Sequence, residues 1–154
     1  MAQSKTDEIA HAIVDVLNAH EFSSPYDDIQ WEFRHKPVME KKDLDSLNLY
    51  VHPMLEGNLT FDTEKVGRCN RDPFRRTIYV SMAKKVTPCD ANEVADGDEI
   101  EDLKGLTEEV AELLYETGSF ACKTISSIDF NPYVSEFMLT SHRTFFSCIQ
   151  VDFN

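Results

Sequence analysis

Helical spacing and strict alternation take turns along this chain. Over residues 6–20, Ile9, Ile13, Val16 and Leu17 recur on one face, which predicts an amphipathic helix, and Ser4 or Thr6 is placed to cap its start. The run Ile29-Gln-Trp31-Glu-Phe33-Arg-His35 alternates apolar and polar side chains and predicts a half-buried strand that Pro37 ends. A charged connector over 39–46 leads to a second strand at 47–51, stopped by Pro53. Residues 54–73 hold two glycines, one proline and few periodic apolar positions, so they predict a long loop. A third strand follows at 75–85, with Ile78, Val80 and Met82 on one face. After an acidic loop over 86–97, a second helix is expected at 98–117. Its stripe is Ile100, Leu103, Leu106 (or Thr107), Val110, Leu113 and Leu114, and Gly118 stands just past its end. Residues 120–128 predict a fourth strand, Asn131-Pro132 a turn or short helix, and 144–153 a last strand. The order α-β-β-β-α-β-β, without repeats or a linker, predicts one α+β domain over 1–154. Its sheet is expected to be mostly antiparallel, with four to five strands and two main helices on one face.

The last strand sharpens that expectation. Phe145, Ser147, Ile149, Val151 and Phe153 fall on one side of its alternation; Phe146, Cys148, Gln150 and Asp152 fall on the other. The first set is expected to pack against the helices. Phe146 on the second set is an apolar side chain worth hiding. It suggests a strand at an edge, at or near a subunit interface, because an open edge invites pairing.

Composition narrows the function classes. A chain of 154 residues can bury about 68–70% of its unfolded surface in one domain. A hydrophobic content of 42% with ten phenylalanines predicts an ordered core. The formal charge of −13 disfavours nucleic acid as a partner of the whole surface and keeps the protein soluble. The first apolar stretch, broken by His11 and Asp15, is too short and too amphipathic to span a bilayer or to serve as a secretory signal. Cys69, Cys89, Cys122 and Cys148 lack close pairing, which predicts reduced thiols and a cytoplasmic place of synthesis.

Chemistry-bearing motifs are sparse. The five glycines stand alone, and neither a phosphate-cradling loop nor a nucleophile elbow can be read. His11, His20, His35, His52 and His142 are scattered. Asp90 to Asp102 is acidic, but aligning Gly97 with the sixth position of an EF-hand puts Asn92 first, Val94 third and Leu103 twelfth. Val94 and Leu103 cannot ligate calcium. These carboxylates are better explained by the favourable field at a helix N-terminus. No catalytic residue, metal or cofactor is expected. The opposite feature is Arg68-Cys-Asn-Arg71-Asp-Pro-Phe-Arg75-Arg76, four arginines of the chain's six within nine residues. Either they balance the chain's own carboxylates on a solvated face, or they carry a basic patch to an acidic partner, including another copy of this protein.

Several patterned segments together resemble a known family. They are the helix DEIAHAIVDVLN, the aromatic strand IQWEFRHK, and LNLYVHP with its Val-x-Pro ending. Arginines and a long loop then precede RTIYVSMAKK, followed by the helix EIEDLKGLTEEVAELL and the closing FFSCIQVDF. In this succession the chain resembles the tail terminator (tail completion, or neck) proteins of long-tailed bacteriophages. The resemblance implies a small α+β structural protein of the virion, made in the bacterial cytoplasm and not an enzyme. Such a protein forms a ring, typically a hexamer, at the head-proximal end of the tail. It ends polymerisation of the tail tube protein and joins the tail to head connector proteins. DNA passes through the lumen without specific binding, and no membrane is involved. The resemblance assigns no contact residues by position; the candidate subunit or partner interface residues, read from charge and alternation, are Arg68, Arg71, Arg75, Arg76 and Phe146. A second class fits the same size and acidity: a secretion-chaperone-like dimer that binds an extended polypeptide.

Overall fold

The structure, a computed structural model, describes residues 4–35, 44–53, 60–61, 74–87 and 97–154. Its elements are α1 (Lys5–Ala19), β1 (Glu32–Phe33), β2 (Asn48–Pro53), β3 (Thr60–Phe61), β4 (Phe74–Lys85), α2 (Gly97–Thr117), β5 (Ser119–Phe120), β6 (Lys123–Phe130), α3 (Glu136–His142) and β7 (Thr144–Phe153). The strands lie in the order β1-β2-β4-β7-β6-β5, and β3 pairs with the start of β4. Every pairing is antiparallel except β1 with β2. The α+β class and the mostly antiparallel sheet are as the sequence predicts, with short strands added to the expected four or five.

The spine of the sheet is the β4–β7 pair, in register from Arg76↔Phe153 to Lys85↔Thr144. Period two then divides the sheet into two faces. Leu49 and Val51 of β2, Ile78, Val80 and Met82 of β4, and Ile149, Val151 and Phe153 of β7 form one apolar face. Both long helices cover that face: α1 contributes Ile9, Ala10, Ile13 and Leu17, and α2 contributes Leu106, Val110 and Leu114. Each of the larger side chains, fully buried, stabilises the fold by about 1.5–3 kcal/mol. A smaller cluster of Val86, Leu103 and Phe145, joined by Leu139 of α3, closes the end of the sheet where β4 stops.

Local chemistry sets the ends of these elements. The Ser4 hydroxyl accepts the Asp7 N–H at 3.5 Å and caps α1. Gly118 takes the left-handed conformation, φ 72°, and its N–H bonds the Leu114 carbonyl at 3.0 Å, which closes α2. Ser135 caps α3 by accepting the Met138 N–H at 3.2 Å. No helix among the described residues is long and apolar enough to cross a membrane.

Three segments depart from expectation. The strand expected at 29–35 narrows to two residues because the Asn18 side chain takes both backbone groups of Trp31. Its Oδ1 accepts the Trp31 N–H at 2.7 Å, and its Nδ2 donates to the Trp31 carbonyl at 3.1 Å. The strand expected at 120–128 is a hairpin, since Ala121 (φ 49°) and Cys122 (φ 63°) turn the chain between β5 and β6. Finally, β7 is interior. β4 pairs along one side of it, β6 along the other, and beyond β6 the segment 131–135 continues the ladder: the Asn131 N–H reaches the Cys148 carbonyl and the Ser135 N–H the Phe146 carbonyl. The edge expected at the last strand is therefore filled by the chain itself.

Candidate functional site

The face of the sheet turned away from α1 and α2 carries a buried polar seam. Tyr50 and His52 of β2, Tyr79 and Ser81 of β4, and Cys148 of β7 are brought side by side by the register Tyr50↔Ser81↔Cys148 and His52↔Tyr79. His52 Nε2 lies 3.2 Å from Ser81 Oγ, and Ser81 Oγ donates to Cys148 Sγ at 3.4 Å. The imidazole tautomer sets which of His52 Nε2 and Ser81 Oγ donates in this pair. His52 stacks on Tyr79, with centroids 5.3 Å apart, and the Arg34 guanidinium lies 5.2 Å from the Tyr50 ring centre.

The electrostatics of this seam favour neutral groups. Burial lowers the pKa of His52, partly opposed by a hydrogen bond at the Pro53 backbone. Burial likewise raises the Cys148 thiol, against the Ser81 hydrogen bond, and pushes Tyr50 up to about 12. A thiol held protonated is a poor nucleophile. Ser81, 1% exposed, has no route to a substrate. The seam ties three strands together and presents no primed reactive group. Nor do the described residues place three or more His, Cys, Asp or Glu side chains where they could hold a metal.

The sequence-predicted residues separate. Arg68 and Arg71 lie outside the described residues, as does the acidic stretch 90–96. Arg75 and Arg76, neighbours in β4, point to opposite faces. Arg75 is exposed and lines a polar cleft of about 450 Å³ with Thr77, Ser126, Ser127 and Asp152 on the seam side. Arg76 turns to the helix side and is buried; its Nη1 donates to Thr6 Oγ1 of α1 at 2.7 Å, and its guanidinium sits 5.2 Å from the Phe74 ring centre. Phe146 is half-buried on the seam side, opposite Ala83.

Sequence reading missed two features. One is an open strand edge: β5 covers β6 only at Lys123 and Thr124, so among the described residues 126–130 have no strand on their outer side. At the other end of the sheet, β1 is likewise unpaired on its outer side among the described residues. The second is a run of exposed aromatics beside the β6 edge. Phe130, 39% exposed, falls on the helix side of β6, and its ring meets Tyr133 edge-on with centroids 4.9 Å apart. The Tyr133 hydroxyl bonds the Glu108 carboxylate of α2; burial, then Glu108, raises its pKa. Tyr115, seven residues along the same helix, is 79% exposed. Glu108, with Glu109 and Glu112, also lines a groove of about 400 Å³ between α2 and 23–26, where Glu109 accepts from the Ser23 N–H and hydroxyl.

No protein-family model matches the chain, and no curated protein matches it.

Proposed function

We propose that this protein is a non-enzymatic structural subunit of a phage virion. Copies of it form a ring, most simply a hexamer, at the head-proximal end of the tail, which ends growth of the tail tube and joins the tail to the head connector. The observation that carries this reading is that, among the described residues, the sheet has no strand on the outer side of β1 at one end or of 126–130 in β6 at the other. The two edges differ in sequence, so a contact between them is head-to-tail. Head-to-tail contacts that close generate rings. Strand direction is compatible: β1 runs parallel to β2, and successive strands then alternate through β4, β7 and β6. A neighbour's β1 laid beside β6 in a continued sheet is thus antiparallel to it, the more stable pairing. The charge of −13 per copy supports a lumen that DNA crosses without adhering, since repulsion acts within a screening length of about 8–10 Å.

Mass photometry and negative-stain imaging of the protein, alone and mixed with tail tubes, test the reading. Rings of one size, free or on tube ends, are expected. Monomers under all conditions overturn it. The β6 edge would also accept an extended polypeptide. A two-fold dimer that co-purifies with one such chain would replace the ring reading by that of an acidic chaperone.

A further inference from the structure

The backbone groups at the two ends of the sheet match one another. On β6 the Asn131 N–H is turned toward β7, where it bonds the Cys148 carbonyl at 2.8 Å. Backbone groups alternate in direction along a strand. Ile128 and Phe130 therefore turn theirs away from β7, to a side that carries no strand among the described residues. On β1 the Arg34 N–H bonds the Val51 carbonyl of β2 at 3.0 Å, so the same alternation turns Trp31, Phe33 and His35 outward. Trp31 is already served there, because the Asn18 side chain takes both of its backbone groups. Among the described residues, each end thus presents two outward positions: Ile128 and Phe130 on β6, Phe33 and His35 on β1.

The side chains agree with the backbone. Ile128 and Phe130 stand opposite Val151 and Ile149, on the helix side. Phe33 pairs with Val51, also on the helix side; the His11 ring of α1 lies over it with centroids 4.1 Å apart, and the His35 ring meets it edge-on at 4.8 Å. Residues directly opposite in an antiparallel ladder share a face, so Phe33 of one copy can stand opposite either Ile128 or Phe130 of the next. Charge and backbone both select Phe130. With Phe33 opposite Ile128, Glu32 would face Asp129, and like charges directly opposite destabilise a ladder. Phe130 would then face Trp31, whose N–H and carbonyl Asn18 holds. With Phe33 opposite Phe130, His35 comes opposite Ile128 and all four outward positions are paired. Trp31 then falls opposite Pro132, which has no N–H to satisfy.

We propose that copies of this protein join through one antiparallel ladder, β1 of each copy beside β6 of the next, in the register Phe33↔Phe130 and His35↔Ile128. This rests on the ring reading and names its contact residue by residue. Phe130, 39% exposed in one molecule, is covered by the Phe33 ring of the neighbour, and aromatic pairs across strands are among the favourable ones. Backbone and aromatic groups make the contact, so a chain of net charge −13 needs no basic surface to form it.

Engineered cysteine pairs read the register in the full-length protein, with Cys69, Cys89 and the exposed Cys122 changed to serine and the buried Cys148 kept. Arg34 of one copy and Asp129 of the next form a non-hydrogen-bonded pair in this ladder, with Cα atoms about 4.5 Å apart, within disulfide reach. In a single molecule the two lie at opposite ends of the sheet, four strand spacings or about 19 Å apart, so a bond between them joins two copies. Under mild oxidation, Arg34→Cys with Asp129→Cys is expected to give a series of covalent oligomers that a thiol reductant collapses. Glu32→Cys with Asp129→Cys, about 8 Å apart in this register, is expected to stay uncrosslinked. Phe130→Pro supplies an independent reading, since it removes an outward N–H and leaves the β6–β7 ladder intact. Its half-assembly concentration, by mass photometry, is expected to rise about tenfold or more with thermal melting unchanged. Crosslinking of the Glu32 pair, or assembly of Phe130→Pro at the wild-type concentration, overturns the proposal and leaves the ring reading standing. So does assembly of the Arg34 and Asp129 double variant without a covalent bond. A wild type that never assembles, alone or on tail tubes, overturns both.

Discussion

Asn18 offers the most direct test of how the β1 end of the sheet is held. Its side chain closes a two-bond ring with the backbone of Trp31, accepting the N–H at 2.7 Å and donating to the carbonyl at 3.1 Å. Trp31 itself is 3% exposed and packs near Phe22, with ring centroids 6.4 Å apart, so water cannot freely replace the lost partner. Asn18→Ala removes two hydrogen bonds worth about 1 kcal/mol each, with a further penalty of about 1 kcal/mol for partly buried orphaned groups. Alanine returns about 0.5 kcal/mol through its better helix propensity. The net cost is about 2–3 kcal/mol, which for a chain of this size lowers the melting temperature by about 4–12 °C. Circular dichroism melting at neutral pH measures it, and amide hydrogen exchange should show the loss of protection concentrated at Trp31 and Phe33. Asn18→Asp keeps the acceptor and loses the donor, so it should fall between wild type and alanine. A melting temperature for Asn18→Ala within about 1 °C of wild type would mean that packing of Trp31, not its backbone pairing, positions β1.

His52 and Glu99 give pH-dependent outcomes of defined sign. Burial depresses the folded-state pKa of His52, so its contribution is complete above the unfolded value of about 6.5 and is lost as pH falls through the folded value. Urea midpoints compared between pH 7.5 and 5 should therefore drop more for wild type than for His52→Gln, whose amide offers both a donor and an acceptor without charging; equal drops would refute the role. Burial pushes Glu99 up, but the Lys84 ammonium and the Thr87 N–H, which donates at 2.9 Å, outweigh it and hold the carboxyl below its ordinary value. Its stabilisation is present above the unfolded pKa of about 4.3 and disappears as pH falls through the folded value. Glu99→Gln should cost about 1–2 kcal/mol at pH 7 in the same assay, with the difference vanishing near pH 3.

What the sequence discloses depends on whether the deciding contact is local. Both long helices could be read because their stripes repeat over several turns and their ends carry Ser4 and Gly118. The apolar side of β7 follows from alternation alone, and Phe145, Ser147, Ile149, Val151 and Phe153 are all buried. Even the inward turn of Arg76 was written in the sequence, since it shares parity with Ile78, Val80 and Met82. The β5–β6 hairpin was hidden for a local reason: Ala121 and Cys122 occupy left-handed positions that Asn-Gly ordinarily signals. The seam and the β6 edge were hidden for a non-local one. His52, Ser81 and Cys148 become neighbours only once three strands are in register. Among the described residues, the outer side of β6 is left without a strand because β5 is two residues long. Scattered histidines and a patterned strand give no hint of either.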